Sequence, residues 1–204
     1  MSISIWLSLL LICTLGAMSP GPSLVVIGKH ALGGGWKNGV AAAWAHAMGV
    51  GMYALASVFG LAIVLKHNPM LFSCIAYAGG AYLAWIGFNA LRSRGGVAAH
   101  LAAGKRCSIV QSARDGAMIS MLNPKLSLFF LALFSQFVLA SNALESRALV
   151  VATPIVVDGL WYTIVSFLLS RSMILEQIRD KAVLVDRITG VVLICLAVRV
   201  VWSV

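Results

Sequence analysis

Acidic side chains are scarce in this chain. Six Asp and Glu stand against fifteen Lys and Arg in 204 residues, for a formal net charge of +9. Charged residues of both signs reach only 10%, whereas 61% of residues are hydrophobic and the mean hydropathy is +0.97. A soluble domain is about 25% charged and about 45–50% apolar, so a water-soluble fold is excluded and a disordered chain more firmly still. The cysteines lack framework spacing: Cys13, Cys74 and Cys195 fall in apolar runs and Cys107 in a basic loop. All four read as unpaired small apolar side chains. No Lys or Arg precedes Lys29. Residues 3–27 therefore lack the basic start of a secretory signal, are too long for its apolar core, and read as a retained first span. Metal-ligand spacing, a nucleophile elbow and a phosphate loop are also missing, so the motifs assign no metal, no cofactor and no enzymatic reaction.

What the chain does have is long apolar runs: about 3–27, 39–65, 70–91, 112–139, 149–169 and 187–203. A spanning helix needs about 20 apolar residues, so the length is consumed by roughly six spans and short loops, with none left for a soluble domain. The runs are continuous rather than alternating, which favours helices over a β-barrel. The expected fold is an all-α integral membrane protein forming a single domain over 1–204. A basic linker at about 92–111 divides it, and a weakly amphipathic stretch at 171–182 is suited to the membrane interface.

In a soluble protein a charge of +9 would suggest a nucleic-acid partner. Here it reads as topology. One set of connections carries eleven basic residues, from Lys29 to Arg187, and the opposite set only Lys66, Arg147 and Arg199. Basic residues stay on the cytoplasmic side. Both termini are thus expected to be periplasmic, with the 28–38, 92–111 and 170–186 connections in the cytoplasm. Small residues recur every four positions at Gly39, Ala43, Ala47 and Gly51, and again at Ala76, Gly80 and Ala84. Such stripes are packing seams. They serve equally within one chain or between copies, which leaves a homo-oligomer open.

Ser19-Pro20-Gly21-Pro22-Ser23-Leu24 in the first run and Asn123-Pro124-Lys125-Leu126-Ser127-Leu128 in the fourth match as polar-Pro-x-x-Ser-Leu. Three spans per half give the second half opposite polarity. This predicts two inverted three-helix repeats, about 1–92 and 108–204. Transporters built this way place their site near the midplane, at interrupted helices in corresponding positions. Proline removes a backbone N–H and frees a carbonyl one turn earlier. In a membrane such groups must find a partner, which can be a ligand, an ion or water.

Two charges lie deep in apolar runs. Lys125 is about fifteen residues before the 140–148 turn and Asp158 about ten after it. At 1.5 Å per residue their depths differ by roughly 7 Å, a gap that long side chains or a bound zwitterion bridge. Lys125 suits a carboxylate and Asp158 an ammonium or a proton. A structural ion pair is the alternative reading. His46, in the second run, reads as a proton relay or a hydrogen-bonded helix contact. Trp161 and Tyr162, one turn beyond Asp158, suit aromatic packing, with the wall of a pocket as the alternative, and Gln136 lies near a run's end, where it meets water.

Taken in order, Ser19-Pro20-Gly21-Pro22, Gly79-Gly80-Ala81-Tyr82-Leu83-Ala84-Trp85-Ile86-Gly87, Asn123-Pro124-Lys125 and Thr189-Gly190 resemble the LysE/RhtB family of amino-acid exporters. The segments Phe130–Phe137 and Val156-Val157-Asp158 are similar to its homoserine/threonine branch. The resemblance covers nearly the whole chain. It implies a bacterial inner-membrane exporter of small amino acids driven by proton exchange. Its marked positions are Pro20, Gly21, Pro22, Asn123, Pro124, Lys125 and Asp158. Family members handle basic, small neutral, branched or sulfur-containing amino acids and related lactones, so the resemblance leaves the substrate open. His46 matches no family position, and its expected part in proton coupling rests on burial. Two other classes fit less well. A six-span redox protein with a Cys in each half is disfavoured, because Cys13 has no counterpart in the fourth run. A passive channel predicts conductance without saturation or gradient coupling.

Overall fold

The computed structural model describes residues 1–19, 21–93, 107–138, 143–170, 183–184, 186–188, 190–198 and 202. Pro20, Thr189, most of the 92–111 linker and the 171–182 stretch lie outside the described residues, as does the side chain of Gln136. The described residues are helical, with seven helices from α1 to α7 and a C-terminal helical segment at 190–198.

The first apolar run is broken. Helix α1 (Ile3–Met18) ends at Ser19, whose backbone is extended (φ −63°, ψ 114°). A residue preceding proline is pushed out of the helical region, and Ser19 precedes Pro20. Helix α2 (Pro22–Gly34) then starts with proline in its first turn, where the missing N–H costs nothing. The two helices meet at 63°. Gly35, at φ +83°, is the one positive-φ residue among those described, and it lets the chain turn into α3 (Trp36–His67). Asn68 ends α3 and caps α4 (Pro69–Arg92) by accepting from the Leu71 amide at 2.9 Å.

The fourth run is also broken. Helix α5 (Ile109–Leu122) is capped by Ser108, which accepts from the Gln111 amide at 3.1 Å. Asn123 is extended (φ −86°, ψ 105°), and α6 (Pro124–Val138) begins again on a proline. Helix α7 (Leu144–Leu169) is continuous through the buried Pro154. By length and apolarity α3, α4 and α7 are each able to cross a membrane, and α1 with α2 make a fourth span if the bent pair is taken as one. The six expected runs thus appear as three unbroken helices, two helix pairs parted at the paired Pro motifs, and a last run described chiefly over 190–198.

Helix α3 is the hub, packed against α7, α5, α2 and α6, while α1 lies on α7 and α4 on α6. Its buried face carries Ala43, His46, Ala47, Val50, Ala54 and Val58. Its opposite face exposes Trp44, Met48, Met52, Leu55, Phe59 and Ile63, the composition of a surface solvated by lipid. The small-residue stripe serves packing within the chain. A Cβ on Gly39 would meet Ser166 of α7 at 2.5 Å, and one on Gly51 would meet Ile155 at 2.6 Å. Gly87 and Gly190 face each other, each Cβ position lying within 3 Å of the other's carbonyl oxygen.

The closest approach of a glycine to another helix's backbone, among the described residues, is Gly116 of α5 on α3, where a Cβ would lie 2.1 Å from the Ala42 carbonyl oxygen. Neither helix backbone can yield locally, so Gly116→Ala forces the pair apart. The expected loss is about 1–3 kcal/mol or more, read as a lower unfolding temperature in detergent. Gly60→Ala is the control: nothing lies within 4 Å of its Cβ position, and better helix propensity makes it neutral or stabilising by about 0.5–1 kcal/mol.

Where α2, α3 and α5 converge, a polar cluster ties their ends. His30 Nε2 pairs with Asp115 Oδ2 at 3.1 Å. Asn38 Nδ2 donates to Ser112 Oγ at 2.8 Å and to the Cys107 carbonyl at 2.9 Å. All four cysteines are free thiols, as the spacing predicted, but Cys107 is not merely apolar: its Sγ lies 3.2 Å from His30 Nδ1.

Candidate functional site

The two helix breaks meet. Asn123 turns its side chain back over the start of α6, and Oδ1 accepts from the Lys125 amide at 3.0 Å. This satisfies one of the orphan donors that every helix start presents. The other end of the same side chain reaches the first break, where Nδ2 donates to Ser23 Oγ at 3.1 Å. Lys125 makes the second link. Its Nζ donates to the Ser19 carbonyl at 3.0 Å and to Ser19 Oγ at 2.5 Å. An ammonium thus sits on the carbonyl end of α1, where the helix dipole and an unpaired acceptor both favour a cation.

From Ser23 a buried hydrogen-bond chain runs inward. Ser23 Oγ lies 2.8 Å from His46 Nε2, and His46 Nδ1 lies 2.7 Å from Asp158 Oδ2. All three side chains are buried. With Asp158 ionised the donors order themselves: Asn123 gives to Ser23, Ser23 to His46, and His46 to the carboxylate. Tyr162, one turn beyond Asp158, stands edge-on to the His46 ring at 5.4 Å between centroids.

Two cavities adjoin this chain. The inner one has about 40 Å³ of free volume and is lined by Cys13, His46, Asn123, Lys125, Asp158 and Tyr162, among others. That is room for water rather than an amino acid. The outer one has about 530 Å³, and Ser19, Gly21, Asn123 and Lys125 belong to both. Pro22, Pro124 and the aromatic rings of Tyr82 and Trp85 complete much of its wall.

The residues singled out by sequence therefore gather at one place, with Pro20 outside the described residues. Lys125 and Asp158 line the same inner cavity, yet each bonds elsewhere: Asp158 to His46, Lys125 to Ser19. No ion pair joins them among the described residues. Sequence reasoning did not single out Ser19 and Ser23 as site residues, although both stand in the Pro motif that it did read. Tyr162 lines the inner cavity, the alternative its position offered beside packing, whereas Trp161 packs on the apolar cluster around Tyr162 and Leu169. Asn123→Ala removes both the cap and the bond to Ser23. We expect about 0.5–2 kcal/mol lost from α6 alone, seen as earlier thermal unfolding and as faster labelling of a cysteine placed at Ser127.

Long apolar helices, broken in two places around buried polar groups, define a multi-pass membrane protein. The chain belongs to the LysE type translocator family, whose model matches residues 14–203. It is 28% identical over 154 residues to the homoserine/homoserine lactone efflux protein of Salmonella typhimurium, covering 75% of this chain and 74% of that one. It is 25% identical over 189 residues to the threonine efflux protein of Escherichia coli strain K12, covering 91% and 92%. An uncharacterized membrane protein of Haemophilus influenzae is 22% identical over 201 residues, covering 97% and 96%. No solved structure matches the chain.

Proposed function

We propose that this protein exports small neutral amino acids of the threonine or homoserine kind from the bacterial cytoplasm, exchanging them for protons by alternating access. The observation that carries the reading is the docking of two broken helices through a half-buried lysine, Lys125 on Ser19, beside a buried Asp158–His46 pair. The substrate carboxylate displaces Ser19 from Lys125 and takes up the backbone amide of Gly21. Opening of the inner cavity then lets the substrate pass the Asp158–His46 pair. A proton taken up at Asp158 and His46 from the periplasmic side returns the empty carrier. Pro20, Pro22 and Pro124 keep the backbone from closing into continuous helix, so the breaks move as hinges.

The inner membrane is the expected location, with both termini periplasmic, on the asymmetry of basic residues. The matching positions of the breaks, Ser19–Pro22 and Asn123–Pro124, support two inverted halves rocking about the shared site. Basic amino acids and amino-acid derivatives are the alternative cargo within the same family.

The test is overexpression followed by measurement of amino acids in the medium. Threonine, homoserine or another small neutral amino acid is expected to accumulate outside the cells, and no changed amino acid would contradict the proposal.

A further inference from the structure

The inner pair cannot be where an incoming amino acid first docks. Its cavity of about 40 Å³ holds water at most, and the Asp158 carboxylate already accepts from His46 at 2.7 Å. The outer cavity, at about 530 Å³, falls within the range of roughly 300–1,000 Å³ typical of small-molecule sites. It also carries charge of both signs. Lys125 enters its wall from α6, and Asp186 enters from just ahead of the C-terminal helical segment. Asp186 is only 4% exposed and accepts a hydrogen bond from Ser93 Oγ at the end of α4.

A carboxylate placed so deep is costly unless it meets a cation. Among the described residues of the wall the cation is Lys125, whose ammonium is bonded to Ser19. A buried anion and a half-buried cation facing one cavity, each anchored to a separate element, are complementary to a molecule with one charge of each sign. An α-amino acid is that molecule. The neighbouring rings, Tyr82 and Trp85, are stacked at 5.6 Å and give the cavity an apolar side for its carbon chain.

We propose that Asp186 binds the α-ammonium of the exported amino acid in the outer cavity while Lys125 binds its α-carboxylate. This zwitterion site is the first station of export, ahead of the inner Asp158–His46 pair. The inference rests on the exporter reading and adds a recognition residue to it. Sequence reasoning passed over Asp186 because it stands one residue before the last apolar run, where an acid reads as an ordinary loop residue.

The experiment measures uptake of threonine and homoserine into inside-out membrane vesicles. Competition is by each amino acid and by its analogue bearing a hydroxyl in place of the ammonium. Wild-type protein is expected to prefer the amino acid over the hydroxy analogue by about tenfold or more, the value of a hydrogen bond to a charged group. In Asp186→Asn the half-saturation concentration for the amino acid rises and this preference collapses to within about threefold. Asp186→Glu keeps the charge and is expected to keep the preference. A structural role for Asp186 would lower uptake of both variants and leave the preference intact, and that result would overturn the inference while sparing the exporter reading. Wild-type vesicles that take up neither amino acid would overturn both.

Discussion

Lys125→Met is expected to lower amino-acid uptake into inside-out vesicles by about a hundredfold, within the loss seen when one partner of a buried charge contact is removed. Methionine nearly matches the stem of lysine in length and apolarity, so packing along α6 is kept and the ammonium alone is lost. Two consequences follow from its position. The substrate carboxylate loses its cation, and the Ser19 carbonyl at the end of α1 loses its donor. Lys125→Arg separates them. Arginine restores a positive charge but presents a planar fork in place of a compact head, so it is expected to recover helix docking, read as thermal stability in detergent, better than it recovers transport. Uptake by Lys125→Met at the wild-type rate, with protein amount matched, would remove this residue from the mechanism.

Asp158→Asn is expected to abolish accumulation driven by a pH gradient while sparing exchange of labelled for unlabelled amino acid across the membrane. The asparagine carbonyl still accepts from His46 Nδ1 at the position of Oδ2, so the chain through Ser23 to Asn123 persists. What disappears is the group that alternates between charged and neutral. On the wild-type carrier a proton binds from the more acidic periplasmic side and leaves to the cytoplasm, so accumulation rises with the gradient. Without it the substrate-loaded carrier still shuttles, whereas the empty carrier lacks its proton-linked return. Loss of exchange together with accumulation would place Asp158 in substrate binding instead. Retention of both would exclude it from either role.

Much of this arrangement was legible in the sequence because the membrane leaves few choices. Long apolar runs must close their own backbone hydrogen bonds, so α3, α4 and α7 follow from composition. Proline breaks what it enters, so the gaps at Ser19–Pro22 and Asn123–Pro124 follow from two short motifs. Lys125 and Asp158 stood out because a charge deep in an apolar run requires a reason.

The partners were not legible. A lysine and an aspartate at similar depth invite pairing, but depth constrains only one coordinate. Helix rotation aims Lys125 at the carbonyl end of α1 and Asp158 at His46, 112 residues earlier in the chain. His46 was visible only as a buried histidine, since nothing local marks which carboxylate a helix crossing will bring to it. The Pro motif showed its polar positions but not which of them matter. Ser23 joins the buried chain, while its counterpart Ser127 bonds back to the Pro124 carbonyl of its own helix. The same limit hid Gly116. A glycine in a helix gives no sign of its neighbour until the crossing on Ala42 is seen.

The central claim is proton-coupled export through the site where the two breaks dock. It is tested most directly by uptake of threonine and homoserine into inside-out vesicles whose lumen is made acidic relative to the outside. The account predicts accumulation above the external concentration, lost when a protonophore collapses the gradient. Uptake that only equilibrates, at the same rate with and without the gradient, would contradict it.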